Sequence, residues 1–118
     1  MNTSSRLANL RRNLPKLKCD ALAVSHLTNV KYLTGFSGTS GMAIILNDAA
    51  FFITDFRYQD QARAQVPPEY SVAIAKGGLW KEAARVLRKR AARIGFEAEH
   101  TSVAAFEELQ KQFAPLQL

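Results

Sequence analysis

One cysteine, Cys19, is all the sequence contains, so an internal disulfide is excluded and a reducing compartment, the cytoplasm, is the expected location. Long apolar runs are missing too. The longest, Gly41-Met-Ala-Ile-Ile-Leu46, falls far short of the ~18 residues a membrane span needs. The opening Met1-Asn-Thr-Ser-Ser-Arg6 is polar and lacks the apolar stretch of a secretory signal. Histidine is scarce, with His26 and His100 the only imidazoles, so neither catalytic base nor zinc ligand is in good supply. Repeats, low-complexity tracts and long linkers are absent as well. What is there is ordinary globular composition: 118 residues, 47% hydrophobic and 22% charged, which excludes disordered and collagen-like classes. Residues 1–118 read as a single domain, long enough to bury roughly two thirds of its unfolded surface.

Acidic residues are also in short supply. Sixteen Lys and Arg face ten Asp and Glu, a formal charge of +6, which admits an anionic partner. Six of the positive charges (Lys81, Arg85, Arg88, Lys89, Arg90 and Arg93) cluster between positions 81 and 93 with only Glu82 opposing them. Helix 81–93 is therefore the place where nucleic acid would bind if this were a stand-alone basic module. No aromatic residues interleave with its arginines for base stacking, which counts against that reading.

The hydrophobic period changes repeatedly along the chain, as when strands alternate with helices. Leu7, Leu10, Leu14 and Leu17 recur at helical spacing behind Thr3, Ser4 and Ser5, with Pro15 fraying the end. Ala21-Leu-Ala-Val24 reads as a buried strand, and Thr28 to Thr34, which has no clear period, as a single helical turn. Met42-Ala-Ile-Ile-Leu46 and Ala50-Phe-Phe-Ile-Thr54, joined by Asn47-Asp-Ala49, predict an antiparallel hairpin. A short helix from Tyr58 to Gln65 stops before Pro67-Pro68. Then follow a strand at Ser71–Ala75, a turn at Gly77-Gly78, a helix from Leu79 to Ala92, a strand at 93–96 and a last helix from Val103 to Phe113. This order predicts a three-layer α/β/α domain with a mixed sheet, because the hairpin is incompatible with a purely parallel one.

Candidate chemistry is thin. Gly35-Phe-Ser-Gly-Thr-Ser-Gly41 is a loop by composition, but neither Ser37 nor Ser40 sits in a Gly-x-Ser-x-Gly elbow, and no Gly-Lys-Ser/Thr ending makes it a phosphate loop. It reads as a place where another backbone or a ligand approaches closely. Asp55, with Glu97 and Glu99, is the only carboxylate set placed after strands where a metal pair could sit, and capping is the simpler role for such acids. Thr54-Asp-Phe-Arg-Tyr58 puts an acid, a base and two aromatics at a strand-to-helix junction. There Asp55 can cap the following helix, and Arg57 can grip a carboxylate bidentately. Tyr32 and Phe36 flank the glycine loop: Tyr32 is assigned a structural role, Phe36 the border of a ligand site. Trp80, at a helix start, is a core anchor or an interface residue.

Three segments together carry a resemblance. Asp20-Ala-Leu-Ala-Val24, Asn29-Val-Lys-Tyr-Leu-Thr-Gly-Phe-Ser-Gly-Thr-Ser-Gly41 and Thr54-Asp-Phe-Arg-Tyr-Gln-Asp-Gln-Ala62 resemble the N-terminal domain of the creatinase/prolidase/Xaa-Pro aminopeptidase family. Leu79-Trp80 and Ile94-Gly-Phe-Glu97 follow in the same order, so the likeness runs from about Arg6 to Phe113, nearer the Xaa-Pro aminopeptidases than the creatinases. The resemblance implies a ribonuclease-H-like α/β/α fold. It also implies that catalysis belongs to a C-terminal pita-bread domain holding two divalent metal ions, manganese or cobalt, none of whose ligands lies in residues 1–118. The chain alone is then expected to be inactive, with no catalytic or metal-binding residue and no cofactor of its own. Its expected partners are that catalytic domain, neighbouring subunits of a homo-oligomer and, in the parent, proline-containing peptides. By the same resemblance Phe36, Ser37, Thr39, Arg57, Tyr58 and Trp80 are candidate substrate-side or interface residues. Asn29, Tyr32, Gly35, Gly38, Gly41 and Asp55 are expected to be structural.

Overall fold

A computed structural model describes residues 3–15, 20–88, 94–96, 103–104 and 107. Its elements run α1 (Thr3–Asn13), β1 (Ala21–Val24), α2 (Leu27–Thr34), β2 (Met42–Leu46), β3 (Ala50–Asp55), a 3-10 turn (Phe56–Tyr58), α3 (Gln59–Gln65), β4 (Ser71–Ala75), α4 (Leu79–Leu87) and β5 (Ile94–Phe96). The five strands form one sheet in the order β4-β3-β2-β1-β5. β2 runs antiparallel to both neighbours, while β3–β4 and β1–β5 are parallel pairs, so the sheet is mixed as predicted. Leu46 N–H donates to Ala49 O at 2.9 Å and closes the hairpin at the predicted Asn47-Asp48 turn.

Strand alternation divides the core in two. Met42, Ile44, Leu46 and Ile53 pack on one face with Ala83, Ala84 and Leu87 of α4. Ala43, Ile45, Ala50 and Phe52 pack on the other with Leu7 of α1, Val30 and Leu33 of α2 and Ala62 of α3. Helices thus cover both faces, and β2, the central strand, is buried along its whole length. That explains its unbroken apolar sequence: a strand covered on both sides has no solvent face to alternate with.

One helix length differs from expectation. α2 spans eight residues rather than one turn, because Gly35 at φ 81° ends it in a left-handed cap, its N–H donating to Lys31 O at 2.8 Å. α4 is described as helix to Leu87, with Arg88 at its cap; Lys89–Arg93 and most of the predicted last helix, like Glu97 and Glu99, lie outside the described residues. α1 ends at Asn13, ahead of Pro15, as a proline that disfavours helix in its predecessor requires.

Candidate functional site

The glycine loop leaves α2 through a threonine switch. Thr34, fully buried, donates its hydroxyl to Val30 O at 2.7 Å and accepts the Phe36 N–H at 3.1 Å. One side chain therefore satisfies a helix-end carbonyl and the first loop amide. The turn it makes drives Phe36 inward. Its ring is 1% exposed, with its centroid 4.7 Å from that of Phe52 and edge-on to Tyr58 at 5.7 Å. The sequence assigned Phe36 to the border of a ligand site; the structure places it in the core, beneath the loop.

This ring is what the glycines make room for. A Cβ at Gly38 would sit 2.3 Å from Phe36 Cζ and 3.0 Å from Tyr58 Cδ1. At Gly41 it would sit 2.8 Å from Phe52 Cζ. The close approach expected of the loop is made by the protein's own aromatics.

The loop's polar groups are fastened to the elements that follow β3. Ser37 N–H donates to Gln65 Oε1 at 3.0 Å, and Ser37 Oγ accepts from Gln65 Nε2 at 2.9 Å and Gln61 Nε2 at 3.2 Å. The Thr39 hydroxyl is hydrogen-bonded to that of Tyr58. Thr54, also fully buried, donates its hydroxyl to Ser40 O at 2.6 Å. Amide donors take no proton, so nothing in these bonds activates Ser37 as a nucleophile. Gln61 and Gln65 share a face of α3 at i, i+4 spacing; nothing local in the sequence ties that face to Ser37.

At the junction itself Asp55 Oδ1 accepts the Arg57 N–H at 3.0 Å, capping the 3-10 turn. The same carboxylate receives the Arg57 side chain bidentately, Nε to Oδ1 and Nη2 to Oδ2, both at 2.9 Å. Arg57 does grip a carboxylate, and the carboxylate is its own neighbour. The guanidinium bonds hold the Asp55 carboxyl down at about 2, against a desolvation that acts the other way, with the Ser40 side chain helping to lower it. Arg57 also lies 5.3 Å from the Tyr58 ring centre. Phe56, between them, is 77% exposed, an exposed aromatic that the sequence did not single out. A depression of about 650 Å³ opens here, lined by Ser40, Asp55, Phe56, Gln59, Ile74 and Lys76 among others.

Of the twelve residues singled out, nine converge: Gly35, Phe36, Ser37, Gly38, Thr39 and Gly41 of the loop meet Asp55 and Tyr58 directly or through one neighbour, and Arg57 joins them through Asp55. Tyr32 lies elsewhere. It is 52% exposed, with the Arg6 guanidinium 4.3 Å above its ring and Arg6 Nη1 donating to its carbonyl at 2.9 Å, so it ties α1 to α2 from outside the core. Asn29 is exposed and lines, with Tyr32, a separate cavity of about 320 Å³ between those helices. Trp80 is half-buried against the α4-side core, the anchor reading of the sequence. On the basic helix Arg85 is paired with Glu82, while Lys81 and Arg88 are exposed. Among the described residues no group of three or more His, Cys, Asp or Glu could hold a metal ion, and Asp55 is already engaged by Arg57.

Residues 6–118 match the model of the creatinase/prolidase N-terminal domain. An uncharacterized peptidase, YqhT, of Bacillus subtilis (strain 168) is 48% identical over 61 residues, covering 52% of this chain and 17% of that protein. An Xaa-Pro aminopeptidase structure from Streptococcus pyogenes superposes with a TM-score of 0.89 at 31% identity, over 98% of this chain and 88% of that one. An Xaa-Pro dipeptidase from Bacillus anthracis gives 0.92 at 24% identity, over 99% of this chain and 33% of that one, a likeness of fold. The chain thus spans under a fifth of its curated Bacillus subtilis relative and a third of the Bacillus anthracis dipeptidase.

Proposed function

The chain belongs to the creatinase/prolidase N-terminal domain family, and from that premise we propose that it serves as the non-catalytic N-terminal domain of a metal-dependent Xaa-Pro peptidase. The observation that carries this reading is the family match over residues 6–118, joined by the pinned loop and junction that give the domain a built rim. The described residues do not fit a metal pair, so no hydrolytic step is assigned to them. The two divalent ions of the parent, manganese or cobalt, belong to a second domain that cleaves the bond between a residue and a following proline.

In this reading the rim works by position. The loop, pinned to α3, and the Asp55–Tyr58 junction present Ser37, Thr39 and Arg57 on one surface, fixed before any partner arrives. Set against a neighbouring subunit's cleft, such a wall excludes water and admits only short peptides. Specificity then comes from the walls of the cleft and not from a group on the scissile bond. Phe36 contributes from beneath by holding the loop, and Trp80 is the second interface candidate. The peptidase works in the cytoplasm as a homo-oligomer.

The test is to isolate the native gene product from its own cells and measure its intact mass and its hydrolysis of Xaa-Pro peptides with added manganese. A product much heavier than 13.1 kDa that cleaves before proline is expected. In it Arg57→Ala should raise KM for longer peptides more than it lowers kcat. A native product of 13.1 kDa that acts alone, or a longer one inert toward Xaa-Pro bonds, would overturn the reading.

A further inference from the structure

The cavity between α1 and α2 is built from two helix stripes over a strand. Arg6, Asn9 and Asn13 recur at three- and four-residue spacing on α1, and Asn29 and Tyr32 share a side of α2. Leu22 and Val24, on one face of β1, add an apolar wall. A helix junction in a small domain is normally closed by interlocking side chains. This one stays open over about 320 Å³, within the ~300–1,000 Å³ range of small-molecule sites. None of the described lining residues is acidic, and Arg6 is the one that carries a charge. Its Nη1 donates to Tyr32 O at 2.9 Å, and its guanidinium carbon lies 4.3 Å from the Tyr32 ring centre, so the group is held in place. Arg6 Nε is left over. It is buried and, among the described residues, has no hydrogen-bond partner.

We propose that this cavity is a binding site for a small organic monocarboxylate, its carboxylate on Arg6 and its short apolar body against Leu22 and Val24. A planar guanidinium carries Nε and Nη2 on one edge, spaced to bond both oxygens of a carboxylate. Here Nη1 is spent on the Tyr32 backbone, which leaves that edge for a ligand. A buried donor without an acceptor is costly, and a carboxylate oxygen would remove that cost at Nε. The lining also discriminates. A neutral apolar molecule leaves Nε unbonded, and an amine brings a positive charge to Arg6 with no acid in the lining to receive it. A free amino acid carries both groups, so it should bind less well than the matching acid without the amine. Inorganic phosphate would reach Arg6 and leave the apolar wall bare. This site requires nothing of the peptidase reading.

Hexanoate is the probe, titrated into the isotope-labelled full chain and followed by NMR, where the Arg6 Nε–H gives a resonance of its own. Saturable shifts are expected at that resonance and at the amides of α1, α2 and β1. Hexanol and hexylamine should bind ~10-fold more weakly or worse. Arg6→Lys keeps the charge and loses the two-pronged edge, and it should weaken hexanoate ~10-fold or more. Asn13→Asp, at an exposed position of the lining, sets a negative charge near the ligand and should weaken hexanoate as well. If Arg6→Lys fails to fold, Asn13→Asp and the Arg6 Nε–H of the unmodified chain decide. No saturable shift, shifts confined to other parts of the fold, equal binding of hexanoate and hexanol, or folded variants that bind as tightly as the original would overturn the proposal.

Discussion

Two loops in this domain carry paired or repeated glycines, and they behave in opposite ways. Residues 35–41 set two glycines, Gly38 and Gly41, against a buried phenylalanine, and the Ser37 and Thr39 side chains and the Ser40 carbonyl are fastened to α3, Tyr58 and β3. Residues 76–78 are exposed: a Cβ at Gly77 would meet only the flexible Lys81 side chain, and one at Gly78 nothing within 4 Å. Glycine content alone does not tell a rigid loop from an open one. The distinction lies in what fills the missing side chain's place, an aromatic ring in one case and solvent in the other.

That contrast can be broken from the inside. Phe36→Ala empties the space beneath the first loop and should cost about 3–5 kcal/mol of unfolding free energy, read from urea midpoints. A cost under 1 kcal/mol would mean that the ring is not the loop's foundation. Gly41→Ala forces a methyl to 2.8 Å from Phe52 Cζ and should cost about 1–3 kcal/mol by overpacking. A neutral result would show that the rings yield.

The rim's ion pair sharpens the comparison through pH. Asp55 in the folded chain is held down at about 2, below its ordinary 3.8, so its ionised form favours folding. The contribution is complete above pH ~4 and is lost as pH falls from there toward ~2. Asp55→Asn should lower stability at neutral pH, modestly for so open a pair, and flatten the acid limb of the profile; parallel acid limbs would refute the coupling. The smallest effect is expected in the second loop. Gly77→Ala should shift stability by no more than ~0.5 kcal/mol, since the Lys81 tip can move aside. A loss like that of Gly41→Ala would erase the distinction between the two loops.

Much of the fold was legible because its signals are local. The apolar runs at 42–46 and 50–54 with Asn47-Asp48 between them specify the hairpin, and the helical rhythm of Leu79, Ala83 and Leu87 specifies the buried side of α4. Asp55 as a cap followed from its place between strand and helix. α2 was harder to see, since Leu27–Thr34 has little amphipathic period and its end depends on the left-handed Gly35. The inward turn of Phe36 was not legible at all. It rests on Phe52, sixteen positions away, and on Thr34 turning back on its own helix. The hold of Gln61 and Gln65 on Ser37 is likewise a meeting of segments that only the packed sheet brings together. Tyr32, a hydrophobic residue by type, lies outside because Arg6 gives its ring a cationic partner at the surface.

Native-state hydrogen exchange tests most directly the central claim that the rim is built before any partner arrives. Phe36 N–H is donated to Thr34 Oγ1 and Ser37 N–H to Gln65 Oε1, so both amides should exchange far more slowly than those of Lys76, Gly77 and Gly78. Equal, fast exchange in the two loops would contradict the account and leave the glycine-rich stretch an ordinary open loop.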